Sequence, residues 1–388
     1  MIYSVAQYIL SVENLDKMSR TLALRSVQPL RNDAGRLRCR VGNSVILFEV
    51  MCGAIHLALR VYMRPHRNLR AIYGDRYLPN ELLVNISATE YGLADVVLTE
   101  WHEGVTLQSK IERFCENTTK MSVLSREFEE LAISLLNKPW AHGDLKPENI
   151  ILGEGGAQLI DFDAMFLPTF NPDNCEEIGT SQYQHPGRDR AYFNKSIDDY
   201  PIALLATALA ALSYDGALGI GLPKMDYLLI QPSLAVVGQD AMLERIERLF
   251  AEVGDARHYR IARLLRSPQP ALPQLKRLLE MRIGEVEYDA EALSLEYGGS
   301  GWGYTLGGEF VIPPYYDVAF EFSEGLGLVA IDGEWHFIDT RGRVVISCGR
   351  GGGIKPFRNG VTKIYREDGV AVTIYRDGQR GAGGVKNV

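Results

Sequence analysis

The sequence predicts an α+β protein that ends in an all-β repeat domain, and three observations predict it. Residues 36–63 and 94–101 carry runs of β-branched and aromatic residues at strand length. Residues 122–137 place Leu124, Phe128, Leu131, Ile133 and Leu135 near helical spacing, and "PIALLATALAAL" (Pro201–Leu212) is an apolar run long enough for a buried helix. From about Tyr297 the composition turns to Gly, aromatic and β-branched residues, with segments recurring every 33–35 positions. A chain of 388 residues is long enough for two or three domains of roughly 100–200 residues each.

Taken in order, residues 1–35 show no clear core pattern and stand as an N-terminal extension. "SVILFEVMCGAIHLALRVYM" (Ser44–Met63) reads as a hairpin turning at Cys52-Gly53, and residues 67–78 as a short helix interrupted at Gly74. "ADVVLTEW" (Ala94–Trp101) is a further strand. Thr106–Glu116 and Ser122–Asn137 read as helices, and "NIILGEGGAQLIDF" as strand, glycine turn, strand. An irregular segment runs to about Lys195, then a buried helix near Asp198–Leu212, then helical stretches within 238–283 punctuated by Pro268, Pro270 and Pro273. In the repeat region, 296–388, Trp302 and Trp335 stand 33 apart, and Phe322-x-x-Gly325 and Phe357-x-x-Gly360 stand 35 apart. A weaker third copy begins at "DGVAVTIYRDGQ" (Asp368). Each copy reads as a Trp-anchored hairpin with a glycine turn; the alternative is a generic β-domain with chance similarity.

Net charge of −8 argues against broad binding to nucleic acid or anionic membranes. The five cysteines, Cys39, Cys52, Cys115, Cys175 and Cys348, have no zinc-site spacing and fit reduced thiols in a cytoplasmic setting. The N-terminus lacks a basic stretch followed by a long apolar run, so no signal peptide is expected, and the longest apolar run is too short to span a bilayer.

The chemistry concentrates in "HGDLKPENIIL" (His142–Leu152) and "QLIDFDAMF" (Gln158–Phe166). Asp144, Lys146 and Asn149, followed by Asp161, sit at strand and turn boundaries. Asn149 and Asp161 offer hard oxygen ligands of the kind magnesium shares with substrate phosphates. Asp144 is then free to accept a hydroxyl proton, and Lys146 to neutralise charge on a moving phosphoryl group.

These residues resemble the protein-kinase family. His142-x-Asp144-Leu145-x-x-x-Asn149 matches the family's catalytic loop apart from its arginine, and Asp161-Phe162-Asp163 stands where the family has D-F-G. The resemblance implies a two-lobed kinase-like fold, with an N-lobe over 36–102 and a helical C-lobe over 103–285. It implies ATP and Mg²⁺, with Thr99 as gatekeeper and the Glu100 and His102 backbones facing the base. "GTSQYQHP" (Gly179–Pro186) resembles the end of an activation segment. "DDYPIALLATAL" resembles the helix whose first aspartate, Asp198, bonds the catalytic-loop backbone; a plain N-cap is compatible with that role. A turn with a second acid followed by "MF", together with Trp302-Gly303, resembles a bacterial kinase-like branch often joined to WG repeats, although Trp335 is followed by His336 rather than glycine.

The departures from the family carry their own expectations. Only Gly42, then Asn43-Ser44, lies where a glycine-rich phosphate loop is usual, so a weaker nucleotide grip is expected. "LALRV" puts Arg60 in the lysine position. Arginine binds phosphate bidentately but is not equivalent to lysine, and a surface-strand arginine is the alternative. Asp75 is the nearest candidate acid partner for Arg60. Gly143 replaces the loop arginine that pairs with an activation-loop phosphate, which implies a segment ordered without phosphorylation. Asp163 in place of glycine stiffens the turn, tolerates a left-handed conformation, and either contacts the metal, directly or through a neighbouring group, or bonds the following backbone. "HPGRDR" and "PHRNLRAIYGDR" read as solvated, and "GRGGGIK" lacks the context of a phosphate loop.

The expected activity is therefore transfer of the ATP γ-phosphoryl group to a Ser or Thr hydroxyl of a protein, with the repeats binding a partner or substrate. Two alternatives share the motifs: a pseudokinase scaffold acting through its repeats, and nucleotidyl transfer on the same fold.

Overall fold

A computed structural model describes residues 3–87, 89–222, 226–253, 255–280, 287–298, 301–331, 333–365 and 370–385. The expected end of the helical region at 285 and the start of the third repeat at Asp368 lie outside the described residues. The protein has mixed α/β architecture with several small antiparallel sheets and a β-rich C-terminal region. It divides into two compact units: residues 1–110, 138–181 and 188–198, and residues 111–137, 182–187 and 199–388.

The first unit opens with three helices, α1 (Val5–Glu13), α2 (Leu15–Met18) and α3 (Leu22–Arg25). Ser4 and Gln7 form a reciprocal capping box that starts α1, satisfying two backbone donors that would otherwise lack partners. Of residues 1–35, which carry no legible core pattern, the helical part thus covers one face of a six-stranded antiparallel sheet and Gln28–Pro29 adds a strand to it. The sheet runs β1 (Gln28–Pro29), β3 (Val45–Cys52), β4 (Ile55–Tyr62), β6 (Tyr91–Glu100), β5 (Tyr77–Asn85), with β2 (Cys39–Val41) also paired to β3. Tyr8, Val12, Leu15, Leu24 and Val27 bury against Ile46, Phe48 and Val50 of β3 and Leu59 and Val61 of β4. Each such side chain contributes roughly 1.5–3 kcal/mol of burial. The alternate β3 residues Val45, Leu47 and Glu49 then point to the opposite face.

The β3–β4 hairpin turns where expected, with Cys52 opposite Ile55 and Gly53 at φ +60°. The short helix α4 (Leu69–Tyr73) ends at Gly74. Strand β5 has no clean alternation because Pro79 sits in it. The strand bulges between Leu78 and Leu82, and Asp95 fastens the bulge by accepting from Asn80 N (2.7 Å) and the Tyr77 hydroxyl (2.9 Å). A small sheet of β7 (Val105–Thr106), β8 (Ile150–Gly153) and β9 (Gly156–Leu159) follows.

After α5 (Leu107–Phe114), the second unit packs α6 (Thr118–Leu136) on α7 (Asp199–Tyr214), which is buried from Asp199 to Leu212 as its composition predicts. Then come α8 (Pro232–Val236), α9 (Ala241–Val253), α10 (Ala256–Leu264) and α11 (Leu275–Glu280).

Three antiparallel sheets complete this unit. They are β10–β12 (Ser294–Tyr297, Trp302–Leu306, Glu309–Tyr316), β13–β16 (Val318–Ala319, Gly327–Ile331, Glu334–Ile338, Val344–Arg350) and β17–β19 (Val361–Tyr365, Val370–Tyr375, Arg380–Val385). The Phe-x-x-Gly repeat has a physical basis. Phe322 packs on Tyr304 (ring centroids 4.7 Å apart) and Phe357 on Phe337 (4.3 Å). Each is followed by a two-residue turn with positive φ at both positions, Glu324-Gly325 and Asn359-Gly360, the geometry of a type I′ hairpin. The five cysteines are free thiols. Among the described residues, no helix is long and apolar enough to cross a membrane.

Candidate functional site

All the residues singled out from the sequence for chemistry lie in the first unit. Tight hydrogen bonding fixes the turn that carries Asp144. Asp198 accepts from His142 N (2.5 Å) and Gly143 N (2.9 Å), as the sequence reading anticipates. The buried His142 ring bonds Ile160 O (2.9 Å) and packs beside Phe162 (5.1 Å). Gly143 adopts φ +84°, and a Cβ there would lie 1.9 Å from Ala164 O, so this backbone admits no side chain. The arginine expected by analogy at that position is sterically closed. Another arginine reaches the turn instead: buried Arg188 donates to Gly143 O (2.9 Å), which corrects the reading of "HPGRDR" as a solvated loop.

Both Asp144 oxygens are engaged. Oδ1 accepts from Thr180 N (2.6 Å), and Oδ2 lies 3.0 Å from Lys146 Nζ. Lys146 also donates to the Thr180 hydroxyl (2.8 Å). Asn149 Nδ2 donates to Asp144 O (2.8 Å), and Asn149 O accepts from Ile160 N (3.0 Å), which ties this loop to the strand end leading into Asp161.

The two acids of "DFD" have opposite surroundings. Asp161 is the left-handed residue, at φ +67°, and its side chain is 41% exposed. Asp163, which could tolerate a left-handed conformation, sits in a short 3₁₀ turn, Phe162–Ala164, with its side chain 8% exposed. Its oxygens are occupied: Oδ2 accepts from Arg60 Nη2 (2.7 Å), and Oδ1 from the hydroxyls of Tyr62 (2.8 Å) and Tyr73 (2.7 Å). Among the described residues its carboxylate does not bond the following backbone; it reaches Asp161 through the shared Arg60 guanidinium. Burial alone would raise that carboxyl, but the Arg60 guanidinium and the Tyr73 and Tyr62 hydroxyls outweigh burial and hold it below the usual carboxylate range. Burial pushes the Tyr62 and Tyr73 phenols well up, so both stay protonated donors.

Arg60 is shared. Its Nη2 also contacts Asp161 Oδ1 at 2.5 Å. The partner guessed from the sequence, Asp75, lies in the exposed turn after α4, and the carboxylates that Arg60 meets among the described residues are Asp161 and Asp163. The reason is topological: Arg60 on β4 faces the turn after β9, more than 100 positions along the chain. The basic stretch before α4 is fastened to the same region. His66 Nε2 bonds Asp163 O (3.0 Å), Arg67 pairs with Glu176 (2.6 Å), and Asn68 donates to Asn174 O (2.6 Å).

A cavity of about 620 Å³ opens beside Arg60 and Asp161. Thr99, Glu100 and His102 line it, with Leu47, Ala58 and Leu159 supplying apolar walls. Its size and its mix of apolar walls and few polar groups are those of a small-molecule site. Gly42 and Asn43 are not among the described residues lining it. They form a tight turn in which Gly42 N donates to Val45 O (2.9 Å).

Among the described residues, no group of three or more His, Cys, Asp or Glu side chains is arranged to hold a metal ion. The donor set does fit a cation shared with a phosphate ligand. Asp161 Oδ2 and Asn149 Oδ1 accept no hydrogen bond from a described residue, and both are hard oxygens.

Sequence reasoning missed Tyr62 and Tyr73, and it did not assign Thr180 to Asp144 or Arg188 to Gly143. For the two tyrosines the one signal was Asp163 itself, as an acid that needed a positive or donor partner. Comparison with known proteins bears on the other end of the chain. A family model described as WG containing repeat matches residues 306–335, from the last residue of β11 through Trp335 on β15. A search of the curated proteins finds no match.

Proposed function

We propose that the chain is a divergent kinase-like phosphotransferase that moves the ATP γ-phosphoryl group to a Ser or Thr hydroxyl of a protein. The observation that carries this reading is the pairing of a cavity lined by Thr99, Glu100 and His102 with Arg60 and Asp161 at its polar end, next to the Asp144–Lys146–Asn149 loop. The adenine lies against Leu47, Ala58 and Leu159, with the Glu100 and His102 backbones at its edge. Arg60 turns its guanidinium to the phosphates. Asp144, fixed by Thr180 N and Lys146, orients the acceptor hydroxyl and takes its proton. Lys146 balances charge on the group in transit. Asn149 and Asp161 would hold magnesium, which supplies charge neutralisation on the phosphates when bound. The WG-type repeats offer the surface for a protein partner.

One observation favours a second reading, a scaffold that no longer transfers phosphate: Arg60 already lies against Asp161 Oδ1, so the cationic position there is filled by the chain itself. ATP labelled at the γ- or the α-phosphate separates the possibilities. γ-Label on protein, reduced about 10²–10⁴-fold by Asp144→Asn with the unfolding midpoint unchanged, supports phosphoryl transfer. α-Label on protein indicates nucleotidyl transfer, and no label on protein from the intact chain overturns both.

A further inference from the structure

We propose that Asp163 is the positioning residue for Arg60. It does from inside the turn after β9 what an acid on the neighbouring helix would otherwise have to do, and it makes α4 part of the same latch. This rests on the phosphotransfer reading for its consequence in nucleotide binding, while the latch itself is a matter of geometry.

The need comes first. A guanidinium that grips phosphate must be held in one orientation, or the entropy of ordering a long side chain is lost at binding. The β4 strand fixes only the Arg60 backbone. Asp161 touches the same Nη2, but it is 41% exposed and stands in the cavity, so a bound ligand competes for it. Asp163 has the opposite character. Its side chain is 8% exposed, it does not line the cavity, and its second oxygen is filled by two tyrosine hydroxyls. A buried carboxylate satisfied on both oxygens is costly to move, because any shift leaves donors or charge without a partner.

The tyrosines give the latch its reach. Tyr62 lies two residues beyond Arg60 on the same strand and accepts from Arg60 Nε (3.4 Å), so one acid holds both residues. Tyr73 is the last residue of α4. At five residues this helix is too short to be stable alone, and its hydroxyl bond to Asp163 ties its end to the turn. Asp163 therefore links three elements, β4, α4 and the turn holding Asp161, through one carboxylate.

The test has two arms. In the first, Arg60 is challenged with phenylglyoxal, a dicarbonyl that modifies accessible guanidinium groups, and its modification is followed by mass spectrometry without nucleotide. Asp163→Asn, which keeps the shape and removes the charge, should speed modification at least about tenfold, and Tyr73→Phe should do so to a smaller degree. In the second arm, dissociation constants for ATP are measured for Asp163→Asn, Arg60→Ala and the double variant. Asp163→Asn should weaken binding roughly 10–100-fold, and adding it to Arg60→Ala should change little further, since one residue acts through the other. Full multiplication of the two losses, or an Arg60 equally protected in Asp163→Asn, overturns the proposal. Should Asp163→Asn fail to fold, Tyr73→Phe carries the first arm alone: faster modification supports the latch, an unchanged rate overturns it. An intact chain that binds no ATP while Arg60 is released by Asp163→Asn sinks the phosphotransfer reading and leaves the latch standing.

Discussion

Two buried ionic clusters among the described residues, one in each unit, invite comparison. In the first unit Arg60 meets Asp161 and Asp163, with Tyr62 and Tyr73 donating. In the second unit His258 lies between Asp255 (2.6 Å) and Glu129 (2.8 Å), Arg257 pairs with Glu129 (2.9 Å), and the Tyr214 hydroxyl donates to Asp255 (2.9 Å). Both put cations, carboxylates and tyrosine in low-dielectric surroundings. Only the first includes a carboxylate that is part exposed and borders a cavity. Perturbed titration alone therefore does not mark a site: structural ion clusters show it too. What separates the two is an open valence facing empty volume.

That comparison can be broken most forcefully at His258. His258→Leu leaves Asp255 and Glu129 short of a partner inside the helical core, and should cost about 3–5 kcal/mol, read as a lower urea midpoint. An equal unfolding midpoint would mean that the cluster relaxes freely.

Two glycines sharpen the contrast at the backbone level. At Gly143, φ is +84° and the added Cβ meets the Ala164 backbone, so Gly143→Ala should cost about 1–3 kcal/mol and also move the Asp144 turn. At Gly360, φ is +76° but a Cβ meets nothing within 4 Å, so Gly360→Ala pays only the conformational term, about 1 kcal/mol. Thermal unfolding of the two variants should rank them in that order.

The clusters also differ in their response to pH. Burial would lower the His258 imidazole, but Asp255 and Glu129 win and raise it. Its contribution is complete below the ordinary imidazole value, about 6.5, and disappears as pH climbs through the raised value. Burial would raise Asp255 and Glu129, but His258 and Arg257 hold both low, and Asp163 is held low by Arg60 and the tyrosines. These contribute above the ordinary carboxylate range, about 4, and are lost on acidification. Protection against hydrogen exchange, corrected for the intrinsic pH dependence of amide exchange, should therefore fall in α10 on both sides of neutrality, but in β4 only toward acid. Equal alkaline loss in both places would contradict the assignment of the imidazolium.

Legibility followed sequence distance. The loop from His142 to Asn149 could be singled out because its polar residues are contiguous and closely spaced. The β3–β4 hairpin and α7 were readable because their turn residue and apolar run are local signals. The N-terminal helices were not, since α2 and α3 have four residues each and owe their form to packing on the sheet. Strand β5 hid behind Pro79. The partners of Arg60 were illegible for a different reason: a pattern confined to neighbouring residues holds no information about which turn, 101–103 positions away, will face a strand. The Ser4–Gln7 capping box was a signal that could have been used.

The two Phe-x-x-Gly turns have a kinetic consequence. Each sets its own strand register, each aromatic pair lies within about 20 residues of chain, and one core joins the second and third sheets as sequence neighbours. Such local closure carries a small loop entropy, so this end of the protein should acquire its form early. The Arg60–Asp163 contact closes a loop of 103 residues and must wait until most of the first unit has been made, which puts the latch among the last events of folding.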